Sequence, residues 1–121
     1  MARILIIDDD DSLRRMLGEV LRAEGHEVVL AAGGREGLEV CRAVQIDLVL
    51  TDLCMPEQEG LETIAGIHHE FPQIAIVAMS GKRFAHSMLP VARQFGAVAT
   101  LEKTFSADEL LATVSKALRS V

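Results

Sequence analysis

The 121-residue chain has no tryptophan, no tyrosine and only four phenylalanines, so it offers no aromatic platform on which single-stranded nucleic-acid bases could stack. Positive charge is also short, with 12 Lys and Arg against 18 Asp and Glu, a formal charge of -6. That balance argues against nucleic acid or an anionic membrane surface as a partner of this domain itself. Cys41 and Cys54 lack a CxxC spacing, and two reduced thiols in a cytoplasmic chain are the expectation. Only four apolar residues, Ile4 to Ile7, separate Arg3 from Asp8, too few for a signal-peptide core or a membrane span. No repeat, low-complexity tract or linker interrupts the sequence. Its length predicts one domain over residues 1–121, with a core that needs no staple.

What is present begins with four consecutive aspartates, Asp8 to Asp11, directly after Ile4-Leu5-Ile6-Ile7. A short unbroken aliphatic run predicts a strand buried on both faces. Carboxylates crowded at its end repel one another and resist desolvation, so a cation is expected among them. Asp10 and Asp11 suit the start of the next helix, where the dipole favours acids. Asp8 and Asp9 are left for site chemistry.

Beyond them strands and helices alternate. Leu13, Met16, Leu17, Val20 and Leu21 form one helical stripe that Gly25 ends, and His26 to Ala31 reads as a second strand. Helices are predicted near Arg35–Val44 and Leu61–Glu70, strands near Ile46–Leu50, Ile74–Met79 and Ala97–Leu101. Pro90 is expected to delay or kink the fourth helix. Ser106 and Glu109 have capping-box spacing before a last helix striped by Leu110, Leu111, Val114 and Leu118. Five βα units predict an α/β fold with a doubly wound parallel sheet, whose site lies beyond the carboxyl ends of the strands. Those ends carry Asp8-Asp9, Asp52, Ser80 and Glu102-Lys103.

Asp8, Asp9 and Asp52 supply the hard oxygen ligands that Mg²⁺ prefers. A carboxylate can also accept a phosphoryl group, a transfer that needs positioning and charge neutralisation by a metal, a lysine and a hydroxyl. Ser80 could equally cap the following helix, and Lys103 alone would read as a solvated surface residue. His68-His69 is assigned no metal role. Gly33 to Gly37 does not follow the first strand, so it is no dinucleotide fingerprint; Ser80-Gly81-Lys82 lacks the first glycine of a phosphate-binding loop, Ile76 standing in its place. A flavin phosphate would be repelled by the acids after strand one.

In this order the residues resemble the receiver domain of two-component response regulators, across the whole chain. The matching pieces are Ile6-Ile7-Asp8-Asp9-Asp10 with Ser12-Leu13-Arg14, then Asp47 to Asp52, Met55-Pro56 and Gly60, then Ser80, Phe95-Gly96-Ala97 and Lys103 before Phe105. The resemblance implies a flavodoxin-like fold with strand order 2-1-3-4-5. It also implies that Asp52 accepts a phosphoryl group from a phosphohistidine of a sensor histidine kinase or histidine phosphotransfer protein. Asp9, Asp52 and the Cys54 backbone carbonyl would ligate Mg²⁺, Asp8 acting mostly through water. Lys103 and Ser80 would engage phosphoryl oxygens. The phosphorylated face would then address a downstream protein or fused output domain, the chain being a phosphoacceptor and not a turnover enzyme.

Three positions depart from the family pattern. Thr104 replaces the proline that usually follows the lysine, commonly with a cis bond, so the loop holding Lys103 is expected to sit differently. Thr100 replaces the usual switch aromatic, and Pro90 lies in the fourth helix. Two alternatives follow: a pseudo-receiver that binds partners without switching, and, more remotely, a haloacid-dehalogenase-like metal-dependent phosphatase with Asp8 as nucleophile, suggested by Asp8, Asp10 and Ser12.

Overall fold

The computed structural model describes residues 1–53 and 59–120, with only the backbone of Glu59 and of residues 82–86. In chain order the elements are β1 (Arg3–Ile7), α1 (Asp11–Ala23), β2 (Glu27–Ala31), α2 (Gly34–Ala43) and β3 (Leu48–Asp52). They continue as α3 (Glu59–Glu70), β4 (Ala75–Gly81), α4 (Lys82–Phe95), β5 (Ala99–Lys103) and α5 (Ala107–Arg119). All strand pairs are parallel and the sheet order is β2-β1-β3-β4-β5. The order reverses between β1 and β3. That switch point opens a crevice at the strands' carboxyl ends.

The unbroken aliphatic runs exist because successive side chains feed two separate layers. Leu5, Ile7, Val49, Ile76 and Ala78 pack beneath α2, α3 and α4 with Cys41, Ile64, Ile67 and Ala92. Ile4, Ile6, Leu48, Leu50, Val77 and Met79 pack on the opposite face with Leu17 and Leu21 of α1 and Leu110 and Val114 of α5. Each fully buried aliphatic side chain contributes about 1.5–3 kcal/mol, so the central strands carry much of the stability.

Two helices depart from expectation. Met16 was placed in the apolar stripe of α1 but is 54% exposed. The buried face of α1 turns instead toward Gly18, where a Cβ would lie 3.5 Å from Leu30 and 3.6 Å from Val28, and this swings Met16 outward. Pro90 neither delays nor interrupts α4, which begins at Lys82 directly after β4 and runs through to Phe95. Pro90 is exposed, and a missing backbone N–H is tolerated more readily on a solvent-facing side of a helix than in the core. Elsewhere local signals held. Ser106 Oγ accepts from the Glu109 N–H at 3.0 Å while the Ser106 N–H donates to Glu109 Oε1 at 3.1 Å, the expected capping box. Gly33 caps α2 and Gly34 opens it, and Gly37 allows that helix to lie directly against the Ile7 side chain.

Candidate functional site

β1 delivers Asp8 to the crevice one residue beyond its last rung, and β3 delivers Asp52 as its own last residue. Both are almost wholly buried, at 0% and 3% exposure, whereas Asp9 is exposed. One carboxylate oxygen from each of Asp8, Asp9 and Asp52 lies within 4.8 Å of the others. β5 brings Lys103 across the top of the sheet, its Nζ 3.1 Å from Asp52 Oδ2 and 3.6 Å from Asp8 Oδ2. Four of the sequence-predicted site residues therefore meet in one place.

The Asp8 carboxylate is hydrogen-bonded on one oxygen only, the other facing the Lys103 ammonium. Oδ1 accepts the Asp10 N–H at 2.9 Å, while Oδ2 is buried and accepts no hydrogen bond. Burial pushes the Asp8 carboxyl above its ordinary value of 3.8; the Asp10 N–H opposes this, the Asp52 charge adds to it, Lys103 opposes it and Asp9 adds to it. A buried carboxylate oxygen without a donor, facing two further acids, is a place where a hard cation fits. The three carboxylates thus suit Mg²⁺ in donor type and spacing. The Cys54 carbonyl, the fourth expected ligand, lies outside the described residues.

Asp10 and Asp11 take the helix-starting roles foreseen for them. Asp10 Oδ1 accepts the N–H groups of Ser12 and Leu13 at 3.0 and 3.2 Å, and Asp11 is the first residue of α1. Ser80 is wholly buried near the end of β4, one residue past Met79, the register partner of Asp52. It does not cap α4: Gly81 holds that position, and the Ser80 hydroxyl donates to the Gly81 carbonyl at 3.3 Å. Thr104 leaves Lys103 beside the acids, and the Lys103–Thr104 peptide bond is cis. Thr100 lies half-buried on β5.

Arg14 has a role that sequence reasoning left unassigned. Its side chain is 13% exposed, pairs with Asp11 and donates from Nη1 to the Asp8 carbonyl at 2.6 Å. It ties the first turn of α1 to the backbone that carries the two leading acids. Besides its place in the family pattern, its sequence signal is the spacing from Asp11 to Arg14, three residues on a helix start. His68 and His69 are exposed in the last turn of α3 and take no part in the site. Among the described residues no helix is long and apolar enough to cross a membrane.

Residues 4–115 match the family model described as the response regulator receiver domain. The transcriptional regulatory protein GlrR of Escherichia coli is 35% identical over 120 residues, 97% of this chain but 26% of its own length. PdtaR of Mycobacterium tuberculosis is 34% identical over 119 residues, 96% of this chain and 56% of its own length. The chain thus spans between about a quarter and about half of these curated relatives. Among solved structures, a receiver domain protein from Clostridium thermocellum superposes with a TM-score of 0.89 at 28% identity, covering 99% of this chain and 96% of its own. TrrA of Thermotoga maritima, solved with Mg(2+)-BeF, gives 0.83 at 31% identity, covering 97% and 99%. A five-stranded parallel sheet in this order, acids at its switch point and a family match over nearly the whole chain lead to one conclusion: the chain belongs to the receiver domains of response regulators.

Proposed function

We propose that Asp52 is the phosphoacceptor, taking a phosphoryl group from the phosphohistidine of a sensor histidine kinase or histidine phosphotransfer protein in the cytoplasm. Switching by phosphorylation is the general function of this family. The observation that carries the reading for Asp52 is the Lys103 ammonium 3.1 Å from its carboxylate, with the Asp8 and Asp9 oxygens close by.

An Asp52 oxygen attacks phosphorus, the new O–P bond forms as the N–P bond to the donor imidazole breaks, and the imidazole nitrogen keeps that electron pair. Lys103 steadies charge on an equatorial phosphoryl oxygen, which a positioned cation does without proton transfer. The buried Ser80 hydroxyl, turned from the Gly81 carbonyl, would donate to a second oxygen. Asp9, Asp52 and the Cys54 carbonyl would hold Mg²⁺, with Asp8 through water, and the ion would supply the remaining neutralisation. The downstream recipient, a separate protein or a fused output domain, reads the changed face.

Incubation with Mg²⁺ and acetyl phosphate is expected to add one phosphoryl group to the intact chain and none to Asp52→Asn. An unmodified wild-type mass would overturn the reading. The pseudo-receiver alternative rests on Thr100, too small to act as a rotating aromatic switch. Beryllofluoride with Mg²⁺ separates the two by amide shifts: movement spreading along β5 and α4 supports a switch, and movement confined to the rim supports a pure docking module. The phosphatase alternative loses its footing to the family match and to the lysine, which sits nearer Asp52 than Asp8.

A further inference from the structure

Gly60 is the second residue of α3 and is buried. A Cβ there would stand 2.7 Å from the Leu53 Cα, 2.8 Å from the Asp52 carbonyl oxygen and 3.1 Å from that of Leu53. All three are backbone atoms, so no rotamer change relieves the contact. Either the first turn of α3 or the Asp52–Leu53 peptide has to move.

That peptide is held from its other side as well. The Leu53 N–H donates to the Met79 carbonyl at 2.8 Å, and the Thr51 hydroxyl donates to the Asp52 carbonyl at 3.4 Å. Asp52 and Met79 are partners in the β3–β4 register. The bare Cα of Gly60 closes the remaining side. Contact with backbone sets Gly60 apart: a Cβ on Gly66, in the same helix, would meet nothing within 4 Å, while a Cβ on Gly37 would meet the Ile7 and Leu5 side chains and one on Gly96 the His68 side chain.

We propose that Gly60 is a positioning residue for phosphoryl transfer: it fixes the plane of the Asp52–Leu53 peptide and so the direction in which Asp52 presents its oxygens. This rests on Asp52 being the acceptor. Gly60 touches neither donor nor reacting oxygens. It acts through Asp52, because in-line transfer tolerates little misplacement of the nucleophile.

The test compares wild type, Gly60→Ala and Gly66→Ala in the rate of phosphorylation by acetyl phosphate across a Mg²⁺ titration, with thermal unfolding alongside. Gly60→Ala is expected to lose tenfold or more in maximal rate and to need at least threefold more Mg²⁺ for half-saturation, with its cooperative unfolding transition retained. Gly66→Ala, the same change in the interior of the same helix, is expected to match wild type in rate and Mg²⁺ requirement and to melt no lower than wild type. Gly60→Ala at wild-type rate and wild-type Mg²⁺ requirement overturns the proposal. Failure of wild type itself to be phosphorylated overturns the reading of Asp52 instead, so the two failures are distinct. Should Gly60→Ala not fold, amide signals of wild type decide: those of Gly60 and Leu53 moving together on addition of Mg²⁺ and beryllofluoride, with Gly66 still, supports the clamp, and an unmoved Gly60 refutes it.

Discussion

Lys103 faces two carboxylates at once, Asp52 at 3.1 Å and Asp8 at 3.6 Å, and both acids are nearly cut off from solvent. Removing the ammonium leaves like charges facing each other in a partly dry crevice. Lys103→Ala is therefore expected to cost about 1–3 kcal/mol of metal-free stability and to slow phosphorylation by about 10²–10³; denaturant titration and acetyl phosphate kinetics read the two effects. Asp8 titrates the opposite way to most structural acids. Burial raises its carboxyl above the ordinary 3.8, so between that value and the folded one the native chain binds more protons than the unfolded chain. Its contribution to stability then falls as pH rises through the window, and above it the charged, under-bonded carboxylate is a standing cost. Metal-free Asp8→Asn should be more stable than wild type at pH 7 by on the order of 1 kcal/mol. The advantage should shrink as pH falls through the folded value and vanish below the ordinary one. No advantage at neutral pH would contradict this account of Asp8.

The starts of α1 and α5 were the most legible elements, because each is written in a few adjacent residues. Ser106 with Glu109 caps α5 and Asp10 caps α1 by hydrogen bonds that the sequence spacing implies. Ser106→Ala should cost about 1 kcal/mol and lower the melting temperature by roughly 4 °C, seen by calorimetry with phosphorylation unchanged. What depends on the neighbouring element was not legible. Met16 has the periodicity of a core residue, yet Gly18 decides which way α1 rolls onto β2. Pro90 reads as a reason for a late or kinked fourth helix, yet α4 starts directly after β4, at Lys82, with an exposed Pro90 inside it. Asp47 falls inside the predicted Ile46–Leu50 strand but stands just before β3; its carboxylate accepts the Arg3 N–H at 2.8 Å while its own N–H donates to the Arg3 carbonyl at 2.9 Å, adding a rung to the β1–β3 pairing.

For the molecule as a whole, the parallel sheet and the rim that carries the site were legible from the alternation of strands and helices, and the strand order from the family resemblance. Parallel strands bring their carboxyl ends to one rim, so Asp8, Asp52, Ser80 and Lys103 could be grouped from their positions after aliphatic runs. Arg14 and Gly60 could not be grouped that way, since one acts through a backbone carbonyl and the other through the absence of a side chain. The grouping also makes folding and cation binding one equilibrium. Mg²⁺ at about 100 times its dissociation constant should stabilise the chain by about 2.7 kcal/mol, and Asp52→Asn should abolish most of that gain in a thermal melt. Covalent trapping at the acceptor tests the central claim most directly. After incubation with Mg²⁺ and acetyl phosphate, borohydride reduction converts an acyl phosphate to an alcohol, and peptide mass mapping locates it. The account predicts a single reduced residue at position 52, dependent on Mg²⁺; reduction at Asp8 or Asp9, or at none of the three, would contradict it.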